Sequence, residues 1–592
     1  MVKPLPRLPP ATIEEHAMIG DTRTAALIDR HGSVDWLCAP RFDSDPVFNR
    51  LLARDGTAFD LYVEKAQPPR RRYEGATLVT QWSTPAGDLE VRDCMPTDVK
   101  PHLLPTSLLV RHMTCTRGRV EVTVRLDVTR GFEETPTKQT FYRAGSIYEI
   151  GNLALGLTSD LDERIELAKP LRFGISQADS KTIALSFNDS QPAVFPAIGA
   201  SLQLIDEDER AWKRWMSEVE YEGPRADLVQ RSLLTLRLLT YSPSGAPVAA
   251  PTTSLPGAVG YADGRNWDYR YSWPRDASLG ITAFLRSGMP EESRAFLHWL
   301  RHAGRVSRPE IKVLYRVDGT NPPKESVVGS GGFAHSAPLL VGNRASDQFQ
   351  LDAYGWVLGA ADRFSDAAGG VDGETLRTVA AAADLVGKRW MQPDSGIWEM
   401  RTHPQHHVHS KMMSWVALDS ALSLLPDHRH AKAWQMAREA LFIDVRSKGI
   451  VQGQSYYSRT YGSTQTDAAL LSTIIEFEPD PRLRLGTIDA IRRELSAGGP
   501  LLKRYRVPDG IESEEGAFVV CTFWLISALA KVGRKQQATD LFDEIASMAN
   551  DVGLFAEQIE PGTHRFLGNF PQAISHSSLV IAAHDITVAH DE

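Results

Sequence analysis

Three short stretches place acidic residues in company that suits catalysis. In DSGIWEMR, residues 394–401, Glu399 directly follows Trp398. A carboxyl held against an indole loses hydration, so its pKa rises and it stays protonated near neutral pH, as a general acid requires. The same Trp-Glu pair also fits a surface ion pair. In GLFAEQIEPG, Glu557 stands among Leu554, Phe555, Ala556 and Ile559. An acid in an apolar run is either a buried carboxylate satisfied by backbone N–H groups or a general base that holds a water. In GRNWDYRYSWPRDASLG, residues 264–280, Arg275 and Asp276 follow Trp267, Tyr269, Tyr271 and Trp273. Asp276 reads as an early-turn acid of a helix, or, paired with Arg275 inside an aromatic wall, as a grip on two adjacent sugar hydroxyls. A pyranose has an apolar C–H face and a polar rim, which suits aromatic rings beside carboxylates.

Other stretches carry weaker signals. In LLKRYRVPDGIESEEGAF, residues 501–518, Arg504 and Tyr505 are ligand candidates, and Glu512, Glu514 and Glu515 read as acids at the N-terminus of a helix. In NRASDQFQLDAYGW, residues 343–356, Gln350, Asp352 and Trp356 fit a solvated helix face. HPQHHVHSK, residues 403–411, holds His403, His406, His407 and His409, but there is no HExxH pattern and no second acidic ligand at helical spacing. No metal site is therefore expected.

These residues lie in the connections between helical segments or at the segments' starts. From residue 225 the apolar period is helical to the end, over 225–241, 275–287, 290–304, 346–363, 373–391, 410–424, 428–446, 465–475, 481–496, 516–532, 535–549 and 572–588. Connections into the even-numbered segments are long and rich in Gly, Pro, Trp and charge; most into the odd-numbered ones are short. That alternation predicts a barrel of two concentric helix rings, an (α/α)6 barrel, with the long loops gathered over one end. Ala468, Ala469, Ala582 and Ala583 are the small residues that close inner packing needs. Residues 20–205 instead read as short apolar runs punctuated by turns such as PAGD and TRGR, which predicts an antiparallel β-sandwich. The charged run DEDERAWKRWMSEVE, residues 206–220, reads as a linker helix. The expected division is a β domain over 1–205, a linker over 206–224 and a helical catalytic domain over 225–592.

With 592 residues and a net charge of -9, the chain is too long for one ordinary domain and lacks the basic balance of a nucleic-acid binder. Its four cysteines, Cys38, Cys94, Cys115 and Cys521, are scattered and form no disulfide framework. No secretory h-region and no membrane-length apolar run is present, so a cytoplasmic protein is expected. The oligomeric state is open, and a homo-oligomer is compatible with the sequence.

Taken together, WPRD at 273–276, GIWE at 396–399, RY at 504–505 and AEQ at 556–558 resemble glycoside hydrolase family 15, which includes glucoamylases, glucodextranases and bacterial trehalases. The N-terminal IGDTRTAALIDRHGSVDWLCAPRFDS is similar to the opening domain of the trehalase-like branch. The resemblance implies a β-sandwich followed by an (α/α)6 barrel, and an inverting hydrolysis with its two carboxylates ~6.5–9.5 Å apart. It implies Glu399 as general acid and Glu557 as general base. It implies that Arg275 and Asp276 grip the non-reducing glucose, with Trp273, Trp398, Arg504, Tyr505 and Gln558 around it. HSK at 409–411 is similar to the trehalase-like branch, which suggests His409 and Lys411 for the leaving-group subsite. The sequence departs from fungal glucoamylases in three ways: Met400 follows the acid where they carry a second Glu, no tryptophan stands near Ser346, and no starch-binding appendage or signal peptide is seen. These departures favour a small α-glucoside, trehalose first and isomaltose or maltose next. A disaccharide phosphorylase and a non-catalytic sugar-binding protein are the competing readings. No cofactor is implied; some trehalase-like relatives need phosphate or a divalent ion, and no site for either is legible.

Overall fold

The structure, a computed structural model, describes residues 10–591 apart from 54, 98–106, 134, 189–194, 262–264, 330 and 512. Among the described residues the first half holds an antiparallel sheet of fourteen strands, organised by one 20-residue strand, Ser107–Leu126. The first part of that strand pairs with Gly87–Cys94 and Ser180–Asn188, and its second part with Phe59–Val63 and Leu171–Ser176. The sheet folds into two layers about it, so that Ala17–Gly20 lies against Thr77–Ser83 and Gly87–Cys94. Burial alternates along Gly87–Cys94 and along the second part of the long strand, as a half-buried pleated surface requires.

Helix α1, Ile198–Met216, leaves this sheet. It starts before the expected linker helix, because its first turns, IGASLQLI, carry apolar and small residues rather than the charge that marked the linker. The helices that follow are α2 (Ala226–Leu238), α3 (Pro274–Arg286), α4 (Pro290–Ser307), α5 (Asp352–Ala368), α6 (Gly373–Arg389), α7 (Val408–Leu424) and α8 (Ala431–Gly449). A 3-10 turn, Ala468–Ser472, then leads into the short α9 (Ile474–Phe477), followed by α10 (Pro481–Leu495), α11 (Val519–Lys531), α12 (Lys535–Ala546) and α13 (Ala573–Asp591).

The inner ring closes on itself: α3 packs on α5, α5 on α7, α7 on the 3-10 turn and α9, the 3-10 turn on α11, α11 on α13, and α13 on α3. The outer helices α2, α4, α6, α10 and α12 each pack across neighbouring members of that ring, and α8 packs on α7 and, through Phe442 against Phe477, on α9. An inner helix has protein on every side, so it is apolar all round: α11 is buried from Val519 to Ala530. Close approach needs small residues there. A Cβ on Gly355 of α5 would lie 2.3 Å from the Met413 carbonyl oxygen of α7, and Ala468, Ala469, Ala582 and Ala583 are fully buried. The fold is thus an antiparallel β domain followed by an (α/α)6 barrel.

Three expectations at helix starts need correction. The eighth segment is broken rather than a continuous helix, because the Asp467 side chain caps Ala469 N–H at 2.8 Å to make a 3-10 turn and Thr473 leaves helical φ. The fourth begins at Asp352, after Asn343 has capped a separate 3-10 turn over Arg344–Asp347. Gln350, Asp352 and Trp356 are therefore buried in the inner ring and do not form a solvated face. The tenth begins at Val519, because Ala517–Phe518 pair as a strand with Gln558–Ile559.

Candidate active site

The long connections into α3, α5, α7, α11 and α13 converge on one cavity, open to solvent, that both Glu399 and Glu557 line. Trp267, Tyr269, Arg275, Trp398, Arg504 and Tyr505 share its wall.

Glu399 reaches the cavity through a tight turn. Its N–H bonds the Gly396 carbonyl at 3.1 Å, and its own φ is 58°, a left-handed conformation that a non-glycine residue adopts only under constraint. Gly396, at φ 69°, is needed for the same turn, since a Cβ there would lie 2.8 Å from the His407 ring. The Gln348 amide donates to the Glu399 carbonyl at 3.1 Å and braces the turn from the α5 side. The carboxylate accepts the Trp273 indole N–H at 2.8 Å and lies 3.6 Å from Arg275 Nη1. Burial pushes its pKa up; Arg275 and the indole bond oppose this, and Asp276 adds to it.

Arg275 and Asp276 open α3 behind Pro274, which suits a first helical position. Arg275 Nε donates to Asp276 at 2.7 Å and its Nη1 to the Ile397 carbonyl at 3.0 Å. The guanidinium thereby ties the α3 start to the Glu399 loop. Asp276 is buried behind Arg275 and is not a side-chain cap.

Glu557 lies across the cavity on the connection to α13, just before the strand Gln558–Ile559. It accepts the Tyr269 hydroxyl at 2.6 Å, the Gln558 amide at 3.3 Å and the Gln572 amide at 3.4 Å. Gly568 makes room for it, since a Cβ there would lie 2.4 Å from Glu557 Oε2. Burial pushes the Glu557 pKa up to about 7, against the lowering effect of Tyr269, Arg504 and Gln558. Tyr269 also meets Trp273 edge-on at 5.4 Å between ring centroids. A chain of four side chains, Glu399–Trp273–Tyr269–Glu557, therefore links the two acids.

Arg504 sits over Phe518 at 4.2 Å and over Trp398 at 5.3 Å, and its guanidinium is held by both oxygens of Glu515. Glu515 is thus an orienting partner of Arg504 rather than the expected helix cap. Glu514 is an exposed partner of Lys503, and Glu512 lies outside the described residues. Tyr505 donates to Asp509 at 2.9 Å, and Asp509 in turn takes a bidentate grip from Arg265 at 2.6 and 3.0 Å. Trp398 is fixed by its indole N–H, which donates to Asp467 at 2.8 Å.

Other expected residues stand off the wall. Gln558 is buried and turns to Glu557. His409 and Lys411, suggested for the leaving-group subsite, are not among the residues that line this cavity. His409 is buried against Ser472 at 3.2 Å, and burial lowers its pKa to about 3. Lys411 donates to the Trp390 and Gln392 carbonyls, and burial lowers its pKa to about 8. Both belong to inner helix α7, whose first turn packs under the loop rather than facing the opening. Among the described residues no group of three or more His, Cys, Asp or Glu side chains is placed to hold a metal ion, and His406 of the histidine run stacks on Tyr461 at 5.6 Å instead.

Gln348, Gln572, Asp467, Asp509 and Arg265 belong to none of the family motifs legible in the sequence. Asp467 carried a usable signal, since Asp before Ala-Ala is a helix-start pattern. The others act through contacts distant in sequence.

An (α/α)6 barrel with paired, aromatic-walled carboxylates at its loop end is the architecture of a glycoside hydrolase. Comparison with known proteins agrees. Residues 223–584 match the model of the glycosyl hydrolases family 15, and residues 8–141 match the trehalase-like N-terminal domain. The chain belongs to glycosyl hydrolase family 15. It is 33% identical to a trehalase of Mycolicibacterium smegmatis over 100% of this chain and 93% of that protein. It is 31% identical to a trehalase of Thermoplasma volcanium over 96% of this chain and 93% of that protein. A bacterial glucoamylase solved with acarbose shares the fold, with a TM-score of 0.71 at 14% identity over 98% of this chain and 94% of that one. Among the described residues no helix is long and apolar enough to cross a membrane.

Proposed function

We propose that the protein hydrolyses a small α-glucoside, trehalose first, with inversion at the anomeric carbon. The observation that carries this reading is the pair of carboxylates on opposite loops of one cavity, Glu557 buried and Glu399 partly exposed, each tied to a different donor. Glu399, protonated, gives its proton to the glycosidic oxygen as the C–O bond breaks. Glu557, ionised, takes a proton from a water that attacks the anomeric carbon from the other face. Glu399 ends as carboxylate and Glu557 as acid, the glucose is released as the β-anomer, and the leaving sugar departs with the glycosidic oxygen. Arg275, on the cavity wall, binds hydroxyls of the glucose that is attacked, and Asp276 behind it orients the guanidinium. Trp398 and the Arg504 guanidinium offer flat faces to its ring. The leaving sugar lies toward the half-exposed rim, where Arg401 stacks over Trp267 at 4.3 Å and pairs with Glu325 at 2.7 Å.

The full-length relatives named trehalase support trehalose over isomaltose or maltose. A maltose- or isomaltose-type glucosidase of the same family is the alternative within this chemistry. A phosphorylase reading would put phosphate in place of the water and leave Glu557 without work; its three donors, Tyr269, Gln558 and Gln572, support a positioned base. The test is incubation of purified protein with trehalose, isomaltose, maltose and maltotriose, with and without phosphate and magnesium. Glucose from trehalose in phosphate-free buffer is expected. Glucose 1-phosphate formed only with phosphate would overturn hydrolysis, and turnover of maltotriose but not trehalose would overturn the substrate.

A further inference from the structure

The segment 266–273, which carries two cavity residues and is held by isolated bridges at Asp268 and Ser272, faces two ways. Trp267 and Tyr269 line the cavity, whereas Asp268 and Arg270 are 0% and 2% exposed and lie off its wall. Arg270 Nε and Nη2 hold the two oxygens of Asp268 at 2.9 and 2.7 Å. The remaining nitrogen, Nη1, donates to the Ser44 carbonyl at 2.8 Å and lies 3.5 Å from Cys38 Sγ. Ser44 and Cys38 belong to the β domain. Asp268 also accepts the Gly342 N–H at 3.1 Å.

The neighbouring segment is held from the same side. Ala249 and Ala250 donate to the Tyr271 and Tyr269 carbonyls at 2.9 and 3.0 Å, so residues 249–254 run beside residues 267–272. The Trp36 indole, fully buried, donates to the Pro251 carbonyl at 2.8 Å. Trp36 and Cys38 lie on one β-domain strand, Val34–Cys38. That strand and the loop after it therefore touch both segments behind the cavity. A guanidinium with every nitrogen satisfied away from water is a costly arrangement with a demanding geometry. Neither Asp268 nor Arg270 meets the cavity, so the gain is in where the segment 266–273 sits.

The geometry points to the β domain as a positioning part of the active site: through Arg270 and Trp36 it fixes the segment 266–273, which aims the Tyr269 hydroxyl at Glu557. Arg270 is a positioning residue, and this role rests on the reading of Glu557 as the base. One ångström of misplacement at Tyr269 is enough to lower turnover without removing any group that binds sugar.

The test compares wild type with R270K, W36F and D551N. Arg270→Lys keeps the charge beside Asp268 but has one nitrogen for two partners. Trp36→Phe keeps the ring and loses the bond to Pro251. Asp551→Asn breaks a different contact between the same two halves, the Arg71–Asp551 pair at 2.8 Å, and is the control. Two quantities are read: kcat and KM on trehalose, and amide hydrogen exchange of the peptide spanning 266–273. For R270K, kcat should fall about tenfold or more with KM within about twofold, and exchange in that peptide should speed up about tenfold. W36F should move both in the same direction by less, and D551N should match wild type. Unchanged exchange and kcat in R270K and W36F would overturn the inference, as would equal changes in D551N. The exchange arm needs no turnover, so failure of wild type to hydrolyse any sugar would count against the functional reading alone.

Discussion

Glu399 and Glu557 are both raised by burial, but their partners differ in kind. Glu399 has an indole and a guanidinium at its carboxylate; Glu557 has a phenol and two amides. The base must be ionised to act. Its ionised fraction falls as pH drops through its pKa, so kcat/KM should decline below a limb near pH 7, set by the value of about 7 for Glu557. Tyr269→Phe removes a donor that favours the carboxylate, so the limb should move to higher pH. A limb at the pH of an ordinary glutamate, or one unmoved in Y269F, would remove Glu557 from the base role. Glu399→Gln should cut trehalose turnover by about 10²–10⁴-fold, the usual worth of a general acid. The loss should be much smaller on α-glucosyl fluoride, whose leaving group needs little protonation. Equal losses on both substrates would contradict proton donation by Glu399.

Elements decide whether these groups meet. The turn Gly396–Glu399 is the clearest case, with left-handed backbone at both ends. Gly396→Ala should destabilise the protein by about 1–3 kcal/mol and depress kcat, as read by thermal unfolding and kinetics together. Wild-type stability and activity in that variant would refute the constraint placed on the turn. Much at this scale was legible beforehand. Twelve helical segments and the long loops before every second one follow from period and composition alone, and both catalytic candidates stood out as acids in apolar or aromatic company. The burial of Asp352 was not legible, because a polar residue opening an apolar helix reads the same whether the helix is outer or inner. The placement of His409 and Lys411 off the cavity lining was not legible either. Their direction depends on how α7 is rotated under its loop, which packing settles and spacing does not. Glu515 looked like a helix cap because its partner, Arg504, reaches it across a loop rather than along a helix.

At the scale of the molecule, the two halves share buried contacts: Trp36 on Pro251 and Arg270 on Ser44, with Asn550 also donating to the His16 carbonyl at 2.8 Å. Such contacts couple the stability of one half to the other. Calorimetry should therefore show one cooperative transition; two separated transitions would mean that the halves unfold independently. The cavity belongs to the barrel, yet the segment 266–273 that lines it is anchored in the β domain. The central claim, that Glu399 and Glu557 act as acid and base on opposite faces of a glucoside, has its most direct test in the anomer released. Proton NMR on fresh digests of trehalose should show β-glucose ahead of mutarotation, beside an equal amount of α-glucose from the leaving half. α-Glucose alone at early times would mean retention and would contradict the paired assignment.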